Sequence, residues 1–262
     1  MIRVRAAILL FVLSCSAPAV PKHFDVLVQG ALDWELQPLL NALEHKRELR
    51  IAAWTFWTGR IGSLNVVVSR TDMGPINAAA ATAIGIEHFH PKAIINQGTA
   101  GGHDPALHLY DIVAGEKTID SSAFKSAPAA IGEGSSQARW SPLYHRVAGT
   151  EYRGFPGDPR LLAAALATPY EKGKVVKGVV GSGFEYNREL DHIAWLHKTY
   201  GSDSEDMESA YAAGVAIGMK TPFIAIRILS DTEWSHPKLE RAAGGYCAAF
   251  VVDVIKRMGK GR

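Results

Sequence analysis

Ile224-Ala225-Ile226-Arg227-Ile228-Leu229-Ser230-Asp231 is an unbroken apolar run rich in β-branched residues, with charge only at Arg227 and at its exit. Such a run reads as a strand buried on both faces, the pattern of a parallel sheet covered by helices. In parallel α/β sheets ligand sites lie beyond the carboxyl ends of strands, which is where Ser230 and Asp231 fall. A second stretch, Asp206-Met207-Glu208-Ser209-Ala210, also sets acids at the edge of an apolar element. A carboxylate in such a place is costly unless it is paired, hydrogen-bonded or used. Taken alone, each acid reads equally well as part of an ordinary helix start or strand-end turn.

Outward from these stretches, strand and helix signals alternate. Phe24 to Gln29 reads as a strand, Gly30 as a turn, and a helix follows through about His45. Strand-like runs recur at Ile51 to Trp57 and Leu64 to Ser69, and Pro75 opens an Ala-rich helix to Phe89, proline being tolerated in the first turn. Ala93 to Gln97 reads as a buried strand ending in a glycine-rich loop, Gly98-Thr99-Ala100-Gly101-Gly102, and Asp111 to Ile119 as extended. Residues 120 to 158 show no period and are rich in Gly, Ser and Pro, as functional or inserted segments often are. Order returns with a helix over Pro159 to Thr168, a strand over Lys174 to Gly181 and helices over Arg188 to Tyr200 and Met207 to Met219. The Phe223 to Ser230 strand and a last helix over Ala242 to Met258 complete the pattern. There is no internal repeat and no coiled-coil heptad. The alternation predicts a three-layer α/β fold with a twisted, mostly parallel central sheet flanked by helices.

Of the 262 residues, 47% are hydrophobic and 21% charged, which is ordinary globular material able to bury a full core in one domain. The N-terminus reads as a secretory signal over residues 1–19: Arg3 and Arg5 form a positive region, Ala6 to Leu13 a short apolar core, and Ala17-Pro18-Ala19 a small-residue cleavage pattern. That core is too short to span a bilayer. Val12-Leu13-Ser14-Cys15 is an alternative, lipoprotein-like processing box that would make Cys15 a lipidated terminus. The expectation is therefore an exported, periplasmic protein whose single domain covers 20–262, with lipid anchoring or secretion as alternatives. The formal charge is +2, and losing Arg3 and Arg5 with the signal would bring it to zero. A neutral chain argues against a nucleic-acid partner, which needs a basic stripe, and against an anionic membrane surface. Without Cys15 the only cysteine is Cys247, in an apolar helical stretch, so no intrachain disulfide is available.

Several strand ends carry chemistry. Gly30-Ala31-Leu32-Asp33-Trp34-Glu35 puts Glu35 in the first helical turn, where an acid also simply suits the helix dipole. The Gly98 to Gly102 stretch allows close backbone approach to a ligand but matches neither a P-loop nor a dinucleotide fingerprint. Gly181-Ser182-Gly183-Phe184-Glu185-Tyr186-Asn187 joins a flexible turn to an aromatic ring and an amide, as a flat heterocycle would require, although a helix cap needs only Asn187. Of the histidines, His88 and His90 are too close to share a helix face, while His103, His145 and His236 stand alone. Without HExxH or CxxC spacing no metal is expected. No Gly-x-Ser-x-Gly elbow follows a strand, so a Ser/His/Asp hydrolase fits poorly.

Together, four motifs in one order resemble the nucleoside phosphorylase/nucleosidase superfamily, closest to its 5′-methylthioadenosine/S-adenosylhomocysteine nucleosidase branch. They are Gly30 to Glu35, Asn96 to Gly102, Asp206-Met207-Glu208 and Arg227 to Asp231, and the resemblance runs from Phe24 to the last helix. It implies the family's phosphorylase/hydrolase-like fold, a small nucleoside substrate, no cofactor, and a homodimer whose partner completes the pocket, through the Asp111 to Phe124 region. It also implies roles. Asp231 would be the general acid that protonates purine N7, with Ser230 orienting it, and Glu35 the base that polarises the attacking water. Glu208 would grip the ribose hydroxyls, with Met207 beside the sugar and Thr99 near ribose and water. Met73 and Tyr186 match pocket-lining positions, and Arg227 would orient carboxylates rather than react.

The chain departs from that pattern in three places. Asp206 stands where the nucleosidase pattern prefers Glu. Gly183-Phe184-Glu185 replaces the common Asp-Ala-Phe run, which bears on base selectivity. Residues 120–158 match little, and 5′-substituent preference could be set there. The reading is thus a purine nucleoside N-ribosyl hydrolase releasing adenine from 5′-methylthioadenosine, S-adenosylhomocysteine or a related adenosine. One alternative is a phosphate-dependent phosphorylase; such relatives place an arginine after the first strand, whereas Ala31 to Gln37 has none and only Arg70 is at hand. The other is a non-catalytic nucleoside-binding or storage protein, which would need neither the acid nor the water activator.

Overall fold

The structure, a computed structural model, describes residues 23–260. The targeting segment read at residues 1–19, with Cys15, lies outside them. The chain begins with β1 (Val26–Gly30), α1 (Gln37–Ala42), β2 (Glu44–Ile51), β3 (Trp54–Ile61), β4 (Leu64–Arg70), α2 (Pro75–Phe89), β5 (Ile94–Gly102) and β6 (Ile112–Asp120). Short strands follow: β7 (Phe124–Ser126), β8 (Trp140–Pro142), β9 (His145–Val147), β10 (Thr150–Tyr152) and β11 (Phe155–Pro156). The remainder is α3 (Pro159–Leu166), β12 (Val175–Ser182), α4 (Leu190–Tyr200), β13 (Ser204–Asp206), α5 (Ser209–Gly218), β14 (Phe223–Asp231) and α6 (Ala242–Lys260).

Ten strands make one sheet in the order β11-β6-β12-β13-β5-β1-β4-β3-β2, with β14 bonded to both β5 and β6. The strands β5, β14, β6, β12 and β13 thereby close into a ring, from which β1, β4, β3 and β2 extend as an open arm. Parallel pairing holds the centre, joining β4, β1, β5 and β14 in turn, and β6, β12 and β13. Antiparallel pairing is confined to the far arm, the β11 edge and the closures β13–β5 and β14–β6.

All nine residues of β14 are buried because both of its faces are covered. Ile224, Ile226 and Ile228 face a core completed by Leu39 of α1, Leu161 of α3 and Val251 and Ile255 of α6. Ala225 and Leu229 face the opposite core, built on Ile86 and Phe89 of α2 and Ala212 and Ala216 of α5. β1 divides the same way, Val26 and Val28 to one core and Leu27 to the other, which is the period-two rule of a strand. Each fully buried Leu or Ile contributes about 1.5–3 kcal/mol of transfer free energy, so this central stack anchors the strand ends that carry the site.

The structure corrects four expectations. The helix through His45 is instead a short 3-10 turn over Asp33–Glu35 and the six-residue α1, after which β2 begins at Glu44. Seven of the eight β2 residues are exposed, so this edge strand carries no apolar alternation to be read. The run from Ile51 to Trp57 is broken by a turn in which Ala52 has φ 52°, and the strand proper starts at Trp54. The glycine-rich Gly98 to Gly102 is not a loop but the carboxyl half of β5, paired to β14 and β13. The aperiodic 120–158 stretch holds two small two-stranded sheets, β7–β8 and β9–β10, on a mostly exposed surface.

Candidate active site

A cleft of about 540 Å³ opens at the carboxyl ends of β1, β5, β13 and β14. Glu35, Met73, Thr99, Tyr186, Met207, Glu208, Ser230 and Asp231, all singled out in the sequence, line it. Arg227, the remaining candidate, lies 1% exposed among the carboxylates that line it.

Glu35 is 2% exposed and fully engaged as an acceptor. One carboxylate oxygen accepts the backbone N–H groups of Ala31 and Leu32, each at 3.1 Å. The other accepts Thr99 N–H at 2.9 Å and the Thr99 hydroxyl at 2.8 Å. Four donors and no proton of its own to place suit an ionised carboxylate. Gly98 permits this approach: a Cβ there would sit 2.9 Å from Glu35 Oε1 and 2.6 Å from Arg227 Nη1.

Asp231 ends β14 beyond a register shift after Leu229, the kind of irregularity that re-aims a side chain. Its carboxylate accepts the Ser230 hydroxyl at 2.7 Å and the Tyr186 hydroxyl at 2.9 Å. Burial raises its pKa above the ordinary aspartate value, against the opposing effect of those two hydroxyls. Burial, with the hydrogen bond to Asp231, likewise pushes the Tyr186 phenol up to about 12, so it stays a donor.

Glu208, 5% exposed, accepts Gly74 N–H at 2.9 Å and stands 3.6 Å from the Arg227 guanidinium. Burial, aided by the charges of Asp206 and Glu35, pushes it up to about 7 against the pull of Arg227 and the Gly74 N–H. Arg227 Nε meets Asp206 at 2.6 Å and the Ser209 hydroxyl at 3.1 Å, and Nη2 bonds Asn96 Oδ1. Burial alone would lower its pKa, but Asp206, Glu208 and Glu35 raise it, so the guanidinium stays charged. Asp206 is therefore the principal partner of Arg227. It also accepts Ser182 Oγ at 2.5 Å and the N–H groups of Glu208 and Ser209, fixing the start of α5. Replacing Arg227 by Met leaves two buried carboxylates without their cation and should cost about 3–5 kcal/mol of stability. Denaturant unfolding at neutral pH measures this, and a loss below about 1 kcal/mol would show that the cation does not hold them.

The loop after β12 is fastened by three consecutive residues. Tyr186 bonds Asp231, Asn187 bonds Glu205 through its N–H (3.0 Å) and its amide (2.6 Å), and Arg188 meets Glu233 at 2.8 Å. Glu205 is not among the residues the sequence singles out. His103 does not stand alone: it is buried, 3.0 Å from Glu205 and 2.8 Å from the Ser202 hydroxyl. His145 is also partnered, through Asp120 at 2.9 Å. The only signal for Glu205 was its place beside Asp206. Cys247 is buried, and burial pushes its thiol up to about 12, which leaves it unreactive. Among the described residues no group of three or more His, Cys, Asp or Glu is placed to hold a metal ion, and no helix is long and apolar enough to cross a membrane.

An acid-lined cleft at the carboxyl ends of a central sheet, with a carboxyl of raised pKa and a fully hydrogen-bonded carboxylate, defines an α/β protein equipped for acid–base work on a small molecule. The chain belongs to the phosphorylase superfamily, whose family model matches residues 25–256. It is 28% identical over 241 residues to the 5′-methylthioadenosine/S-adenosylhomocysteine nucleosidase of Oceanobacillus iheyensis, covering 87% of this chain and 97% of that one. With the same-named protein of Anoxybacillus flavithermus it shares 28% over 214 residues, 79% of this chain and 85% of that one. Among solved structures, the Neisseria meningitidis nucleosidase in complex with methylthio-immucillin-A superposes with a TM-score of 0.73 at 24% identity, over 88% of this chain and 98% of that one. The Colwellia psychrerythraea nucleosidase in complex with adenine gives 0.73 at 24%, over 90% and 96%.

Proposed function

We propose that the protein is a purine nucleoside N-ribosyl hydrolase releasing adenine from 5′-methylthioadenosine, S-adenosylhomocysteine or a related adenosine. The observation that carries this reading is the pairing, in one cleft, of a fully hydrogen-bonded Glu35 with an Asp231 whose pKa is raised. The curated relatives of similar length bear the same activity in their names.

Breaking the C1′–N9 bond leaves the sugar cationic and the base anionic, so both charges must be met in the transition state. Asp231 gives its proton to N7 as the bond breaks, which burial favours by keeping that proton on the carboxyl. Glu35 orients a water through Oε1 once the Thr99 hydroxyl turns from the carboxylate to that water, which frees one of the four acceptor positions. The water oxygen bonds C1′, and its proton passes to Glu35. Thr99 fixes Glu35, Ser230 fixes Asp231, Glu208 accepts from the ribose hydroxyls, and Met73, Met207 and Tyr186 pack on sugar and base. Arg227 holds Asp206 and Glu208 in place. No cofactor enters these steps.

Phosphorolysis is the weaker reading because Arg70 is already engaged, with Asp33 at 3.1 Å and Asp72 at 3.5 Å, and Glu35 would repel a phosphate dianion. The test is to incubate purified protein with methylthioadenosine, S-adenosylhomocysteine, adenosine and inosine, with and without phosphate, and to identify base and sugar. Adenine and free sugar without phosphate are expected. A sugar 1-phosphate formed only with phosphate would sink the hydrolase reading, and no base under any condition would favour a binding or storage role.

Glu208 adds a pH dependence. A ribose hydroxyl donates to its ionised form, so KM should be lowest above about pH 7 and rise several-fold towards about pH 5.5 as the carboxyl takes up a proton. A KM flat across that range would remove Glu208 from sugar recognition.

Two further readings belong to the same proposal. Arg3, Arg5 and the apolar core that follows them support export, which the N-terminal mass of protein recovered from a periplasmic fraction would test. Met73, Ile76 and Phe184 are exposed large apolar side chains, and Met73 lines the cleft; they support a homodimer that completes the pocket. A monomer mass in solution at the assay concentration would count against it.

A further inference from the structure

Beside the acid lies a second carboxylate that the mechanism above does not use. Glu205, on β13, lines the cleft and is 9% exposed. A Cβ on Gly101 would lie 3.7 Å from Glu205 Oε1 and 3.8 Å from Asp231 Oδ2, so the two carboxylates flank one small patch of backbone. Asn187 N–H donates to Oε1 at 3.0 Å, and the Asn187 amide to Oε2 at 2.6 Å. His103, 1% exposed, brings Nε2 to 3.0 Å from Oε2. A carboxylate offers about four acceptor positions, and these contacts occupy three. The fourth, on Oε1, is left for a donor arriving in the cleft. Burial would raise the pKa of Glu205, but the contacts with His103 and Asn187 outweigh it and hold it below the ordinary value, so the acceptor is anionic.

We propose that Glu205, held by His103 and Asn187, is a specificity-determining residue that accepts a hydrogen bond from the exocyclic amine of a 6-aminopurine and repels a 6-oxopurine. The proposal rests on reading the cleft as a purine site with N7 at Asp231. On a 6-aminopurine the group beside N7 is an N–H donor; on a 6-oxopurine it is a carbonyl acceptor. An anionic acceptor fixed next to the N7 acid attracts the first and repels the second. A site built to bond a donor discriminates strongly against a ligand that lacks it, because its own buried polar group is left unpaired. Tyr186, which touches Asp231 but carries a neutral hydroxyl, supplies no such choice.

The test is calorimetric binding of adenine and hypoxanthine to the wild type, Glu205→Gln and Glu205→Asp, with adenine release from methylthioadenosine measured in parallel. Wild type should prefer adenine by about 30-fold or more, and Glu205→Gln, whose amide can present either a donor or an acceptor, should cut that ratio by about tenfold or more. Glu205→Asp withdraws the carboxylate by one methylene and should cut it in the same direction, which decides the matter if the Gln variant does not fold. General disruption of the loop weakens both bases together and leaves the ratio alone. A ratio unchanged within about threefold in the variants overturns the proposal even if the wild type releases adenine. Failure of the wild type to bind either base overturns it together with the purine-site reading, and the parallel assay tells the two failures apart.

Discussion

Asp231→Asn is expected to lower kcat by about 10²–10⁴-fold on methylthioadenosine while leaving unfolding behaviour near that of the wild type. Ser230 and Tyr186 donate to different oxygens of Asp231, at 2.7 and 2.9 Å, so the asparagine keeps an acceptor for one hydroxyl while the other turns to accept from its amide, and it has no acidic proton to give N7. The loss should therefore depend on the leaving group. On a riboside whose leaving group is a stable anion, such as 4-nitrophenolate, protonation is not needed, and most of the deficit should disappear. Wild-type turnover of methylthioadenosine, or an equal deficit on both substrates, would remove Asp231 from the role of general acid.

Glu35→Gln should behave in the opposite way. All four contacts of Glu35 come from donors, so an amide NH₂ placed there must face an N–H or O–H group, and its carbonyl alone polarises water poorly. A fall in kcat of about 10²–10³-fold is expected, and it should persist on the 4-nitrophenyl riboside because the missing function lies on the water side of the reaction. The two variants, crossed with the two substrates, separate protonation of the base from activation of water. If the Glu35 deficit vanished on the activated riboside, Glu35 would be acting on the base and not on water.

Much of the central stack was legible because β14 and β1 bury both faces and so carry unbroken apolar runs, while α2 is bounded by Pro75 and ends in a left-handed His90. What was not legible has a common physical cause. β2 is an exposed edge strand of mostly charged residues, whose presence is decided by backbone pairing to β3 and not by side-chain pattern. Gly98 to Gly102 looked like a loop because glycine favours turns. Here Gly98 serves extended backbone that must let Glu35 and Arg227 approach closely. The candidate site residues were found through motifs that lie at strand ends. The pairing of Glu205 with His103 was missed because it joins the end of β5 to β13 only through the antiparallel closure of the ring, a contact invisible in local sequence. Asp206 was read as a departure from a family pattern; its meaning as the partner of Arg227 at 2.6 Å needed the geometry.

Water as the nucleophile, activated by Glu35 and answered by the proton of Asp231, is the central claim. Turnover of methylthioadenosine in heavy-oxygen water, with phosphate present, tests it most directly by mass analysis of the sugar product. Each adenine released should be matched by a free sugar carrying one heavy oxygen at C1. A sugar 1-phosphate with no heavy oxygen at C1 would contradict hydrolysis.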